Sequence, residues 1–180
     1  MRTNLSLYAL DRAALRELSG ELKEALLDDD RAKVAGLLGL GPALAGRLAS
    51  GPRAVDWFLR PEDDPQASPL FASLRRIAKA RALSLAWTSD ELSLEGRLRD
   101  FDILREDAAI AKLIDQLLDP ARLPWFLQRP GATGGWLDVA KREQLTAGLR
   151  AVEAALPKEL ADFSEAVAKI EGDVIAHDRL

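Results

Sequence analysis

The stretch from Ile110 to Leu118 constrains the fold of this chain more than any other. Ile110, Leu113, Ile114, Leu117 and Leu118 recur at i, i+3, i+4, i+7 and i+8, the spacing that lines one side of an α-helix. Lys112, Asp115 and Gln116 fall off that stripe, so the helix keeps one side for water. A stripe this continuous has to be covered, and Pro120 stops the helix just beyond it. The remainder of the chain has to supply the covering layers.

Most of that remainder reads as further helices. Thr3 to Leu10 alternates, with Leu5, Leu7 and Ala9 on one side and Ser6, Tyr8 and Leu10 on the other, which predicts a short half-buried strand. Asp11 suits an N-cap for a helix carrying Leu15 and Leu18, and Ser19 and Gly20 are expected to break or bend it before Leu22, Leu26 and Leu27. Asp28, Asp29 and Asp30 follow; with no calcium-loop glycine spacing after them, they are expected to cap the next helix and face water. Arg31 to Leu40 and Pro42 to Ala49 read as short helical pieces, with Pro42 suited to a first turn. The glycines between them match neither the phosphate loop nor the dinucleotide fingerprint. Trp57 and Phe58 read as core, and Pro61 to Pro69, with Glu62, Asp63 and Asp64, as a loop.

Ser68 and Pro69 start a helix with Leu70, Leu74, Ile77 and Ala78 on one side and Arg75, Arg76, Lys79 and Arg81 crowding the rest. Leu83, Leu85 and Trp87, then Thr88 to Glu91, then Leu92 and Leu94, read as an antiparallel hairpin; Thr88 with Glu91 also has the capping-box spacing of a helix start. Asp138 predicts the start of a helix with Leu145, Leu149, Val152 and Leu156, closed by Pro157. Leu160, Phe163, Val167 and Ile170 mark a final helix ended near Gly172, leaving Val174, Ile175 and His177 as a short tail. The expected fold is mainly α, at the margin of α+β. It is a single compact domain over residues 1–180, with a small antiparallel sheet from Leu5–Ala9 and Leu83–Leu94.

Composition removes several chemistries. With no cysteine there is no disulfide, thiolate zinc site or cysteine nucleophile, and one histidine forbids a multi-histidine metal site. A serine triad would need His177, close to a fraying end. The 29 acidic residues leave carboxylate chemistry open without singling out a pair. The Gly131–Gly135 stretch offers a turn whose amides suit an anion, although Asp138 would occupy the positive end of the helix that follows. A net charge of −4 argues against non-specific nucleic-acid binding, and no segment has the apolar run of a membrane span or a secretion signal. A cytoplasmic protein without cofactor or metal is the expectation.

The segment from Leu123 to Trp136 differs from the rest in its tryptophans, prolines and glycines. Trp125, Phe126, Arg129 and Trp136 are the residue types that dominate interface hot spots, so either they fold back as a lid on the central stripe or they form a contact surface. Elimination of catalytic equipment points to a non-enzymatic protein-binding domain: an adaptor, an inhibitor or a toxin-immunity protein. Asp28, Asp29, Asp30, Asp63 and Asp64 would supply charge against a basic partner. The rivals are a nucleic-acid regulator using Arg75, Arg76, Lys79 and Arg81, and a hydrolase whose minimum sign is a pocket with two acids.

Overall fold

The structure, a computed structural model, describes residues 4–48, 67–92, 94, 98–128 and 132–178. The expectations for Trp57, Phe58, Asp63, Asp64 and Arg129 lie outside the described residues. The chain divides into two compact units, Asp11–Ala82 and Met1–Leu10 with Leu83–Leu180.

The first unit is helical: α1 (Arg12–Leu27), α2 (Arg31–Leu37), α3 (Pro42–Ala45) and α4 (Ala67–Ala82). Asp11 caps α1 as its position predicts, its Oδ1 accepting from the Ala14 amide at 3.0 Å. The expected break at Ser19 and Gly20 does not occur, because α1 runs unbroken through both. A lone glycine costs a helix only about 1 kcal/mol. Leu18, Leu22 and Ala25 bury one side of α1, and that gain holds the helix together. Asp28 closes α1 and Asp30 opens α2 by accepting from the Lys33 amide at 2.9 Å. Lys33 Nζ lies 2.7 Å from Glu24 Oε2, and this bond holds the Glu24 carboxyl below its ordinary range and the Lys33 ammonium above its own. On α4, Arg81 pairs with Glu21 at 2.8 Å and Arg75 lies over the Phe71 ring. Part of the basic side of α4 is therefore satisfied inside the unit.

The second unit is an α+β arrangement. Four antiparallel strands, β1 (Asn4–Leu10), β2 (Leu83–Leu92), β3 (Gly134–Leu137) and β4 (Asp173–Asp178), stand in the order β2-β1-β4-β3. Three expectations change here. The hairpin over Leu83–Leu94 gives way to one strand, since Thr88 to Leu92 continue along β1 with register irregularities instead of turning. Asn4 Nδ2 donates to the Ser89 carbonyl at 2.8 Å, and the Ser6 and Thr88 hydroxyls meet at 3.0 Å, which ties the polar residues that suggested a turn into the ladder. The tail holding His177 is strand β4, paired on both sides, and His177 is fully buried. β1, read as half-buried, buries Ser6, Tyr8 and Leu10 as well as Leu5 and Leu7.

Among the described residues this unit also holds the α-helices α5 (Asp102–Glu106), α6 (Ala108–Leu117), α7 (Val139–Ala151) and α8 (Lys158–Lys169). The apolar stripe of the sequence is α6, capped by Asp107, with Ile110, Leu113, Ile114 and Leu117 buried. They share one core with Leu5 and Leu7 of β1, Leu137 of β3, Val174 and Ala176 of β4, and Phe163 of α8. Trp87 of β2 meets Phe163 edge to face, ring centres 6.2 Å apart. Asp138 caps α7 by accepting from the Lys141 amide at 3.0 Å, also as predicted.

Candidate functional site

The C-terminal end of α6 organises the candidate site. Helix ends leave carbonyls without partners, and here Arg99 answers one of them. Arg99 donates its Nε to Asp115 Oδ1 at 2.9 Å and reaches the Leu118 carbonyl with Nη2 at 3.5 Å. Asp119 accepts from the Ala121 amide at 3.0 Å and so starts a 3-10 turn, Pro120–Arg122, that directs the chain away from the helix.

Strand β3 closes against the same end at Gly135 and against β4 at Gly134. A side chain at Gly135 would stand 2.5 Å from the Gln116 carbonyl oxygen, and one at Gly134 would stand 1.9 Å from that of Ala176, with φ +90 at Gly134. The sequence left these glycines room to shape a turn for an anion, with Asp138 set against it. They form a strand instead, and their small size serves the approach of backbone to backbone.

A cavity of about 510 Å³ opens beside this junction. Arg99, Lys112, Asp115, Gln116, Asp119 and Thr133 supply its polar lining. The buried atoms Gln116 Oε1 and Thr133 Oγ1 have no hydrogen-bond partner among the described residues. Two acids, Asp115 and Asp119, thus face one cavity, the minimum sign set for a hydrolase. Asp115 is held by Arg99 and Asp119 caps a turn, so each already has a structural task.

The segment between Asp119 and Thr133 leaves and re-enters at the wall of this cavity. Within it the Leu127 and Gln128 amides both donate to the Pro124 carbonyl, at 2.8 and 3.2 Å, and Gln128 Nε2 donates to the Leu123 carbonyl at 2.8 Å. Leu123, Phe126 and Leu127 are buried; Trp125 keeps 43% of its surface exposed. Its indole stands edge-on to the Phe126 ring, 5.5 Å between centres.

The sequence-predicted residues therefore separate. Phe126 is buried and gives the loop an anchor in the interior instead of a contact. Trp125 is the member that faces out. Trp136 is half-buried, and its Nε1 donates to Asp173 Oδ2 at 3.0 Å while Asp173 Oδ1 accepts from the Val139 amide at 2.9 Å. One buried aspartate thus joins β3, β4 and the first turn of α7. Asp28, Asp29 and Asp30 are exposed and belong to the helical unit.

No family model matches this chain, and no curated protein and no solved structure does. Among the described residues there is no group of three or more His, Asp or Glu side chains able to hold a metal ion, and no helix long and apolar enough to cross a membrane.

Sequence reasoning passed over Arg99, Lys112, Asp115, Gln116 and Asp119 as site residues, and weighed Thr133 only for the backbone of the Gly131–Gly135 turn. A signal for four of them existed. Lys112, Asp115, Gln116 and Asp119 follow at i, i+3, i+4 and i+7, a polar stripe with the same spacing as the apolar one. Arg99 and Thr133 carried none, since only the tertiary fold brings them to the helix end.

Proposed function

We infer that this chain is a cytoplasmic, non-enzymatic protein-binding module whose anchor is Trp125. The observation that carries this reading is an indole with 43% of its surface exposed, on a turn held by its own hydrogen bonds over a buried Phe126. A large, rigid aromatic presented in this way loses little conformational freedom on binding, which is the physical character of an interface hot spot. Exposed Asp28, Asp29 and Asp30 and a net charge of −4 favour a basic partner, the relation expected of an inhibitor or immunity protein.

The test is affinity capture from the native host at low salt with the parent chain and Trp125→Ala. A protein recovered in stoichiometric amount by the parent and lost with Trp125→Ala supports the reading, provided both forms melt at the same temperature. Equal recovery by both forms, or no stoichiometric partner with either, overturns it. For a basic partner, the association rate falls as salt rises.

A further inference from the structure

The cavity at the end of α6 is a separate feature from the exposed tryptophan, and its charges can be sorted one by one. Arg99 and Asp115 form an ion pair with each other. That leaves Lys112, whose ammonium has no partner among the described residues, and Asp119, which commits only Oδ1 to the Ala121 amide. One positive and one negative group therefore remain for a ligand. Lys112 and Asp119 lie at i and i+7, so the two charges follow one another along the same side of the helix and its exit.

The surroundings favour the same separation of sign. The carbonyl end of α6 carries partial negative charge, which attracts a cation close to Asp119. Arg99, bonded to Asp115 and within reach of the Leu118 carbonyl, has further N–H groups beyond those two contacts. The planar fork of an arginine already facing one carboxylate can still offer donors to a second. A ligand with only negative charge would meet Asp119, and one with only positive charge would meet Lys112. The space, about 510 Å³, is that of a small-molecule site, for which about 300–1,000 Å³ is usual.

We propose that this cavity binds a small zwitterion, with its carboxylate on Lys112 and Arg99 and its ammonium on Asp119, the free α-amino acids being the simplest such molecules. Binding here does not depend on Trp125 and stands or falls apart from the protein-binding role.

The test is amide NMR of the full chain titrated with each of the common α-amino acids, with acetate and methylamine as single-charge probes. At least one amino acid is expected to shift the Lys112, Gln116, Asp119 and Thr133 amides to saturation at millimolar concentration, while neither single-charge probe does. Lys112→Met keeps a helix-forming side chain, and Asp119→Asn keeps an N-cap that can still accept from Ala121. Each is expected to weaken binding about tenfold, the scale of one charge-assisted contact. The proposal is overturned if no amino acid shifts these amides, if acetate or methylamine shifts them as far, or if neither substitution changes the affinity.

Discussion

The two units solve the same packing problem by different means. In the helical unit, α1 buries one side through Leu18, Leu22 and Ala25, and the junctions on either side of it are capped by residues close in sequence. In the sheet unit, β1 and β4 are buried on both faces and their partners come from far along the chain, Leu5 opposite Asp178 and Leu10 opposite Asp173. Local interactions thus set the helix ends of the first unit, whereas the second depends on backbone surfaces meeting at close range. The contrast predicts where a single atom matters most.

The largest effect is expected at the β3 glycines. Gly134→Ala places a methyl against the Ala176 carbonyl at a φ that alanine avoids, so neither a side-chain move nor a backbone adjustment relieves it. A cost of about 4 kcal/mol or more is expected, read as loss of the native transition in urea unfolding. An unchanged midpoint would mean that β3 is not closed against β4. A smaller effect is expected at Asp173→Ala, which removes the acceptor shared by Trp136 and the Val139 amide. About 1–3 kcal/mol is the scale of such a loss, and Asp173→Asn should recover part of it.

The smallest effect belongs to the helical unit. Glu24 titrates below its ordinary range because Lys33 bonds its charged form, so its contribution is present above the unfolded value and disappears as pH falls through the folded one. Lys33, raised by the same bond, keeps its contribution below its unfolded value and loses it as pH rises through the folded one. Glu24→Gln should therefore lower the melting temperature slightly between these limits and leave it unchanged in acid below the folded value of Glu24. Both side chains are exposed, which keeps the effect small.

The same contrast explains what was legible in the sequence. Asp11, Asp30 and Asp138 announced helix starts because a cap is chosen by residues within one turn of it. The α6 stripe and the β1 alternation were legible because each repeats over several residues. β3 was not, because Gly134 and Gly135 are poor strand formers that serve there only through what α6 and β4 bring near them. β4 looked like a tail because six residues without a visible partner carry no pattern of their own. Of the aromatic segment, the exposed Trp125 and buried Phe126 are adjacent residues of similar character, and only the turn at Pro124 decides which one faces out.

The strand order carries a last consequence for how the protein is made. β1 leaves the ribosome ahead of both its partners, which arrive at different times, β2 at Leu83–Leu92 and β4 only at Asp173–Asp178. Closing loops of such length is slow relative to helix formation, so the helical unit has time to form while β1 waits. Until β4 emerges, the edge of β1 that it will occupy remains open, with Leu5 and Leu7 beside it. The interval between synthesis of β2 and β4 is the period in which a nascent chain of this protein is most exposed to strand exchange with its neighbours on the same messenger, and in which a holding chaperone would have the most to protect.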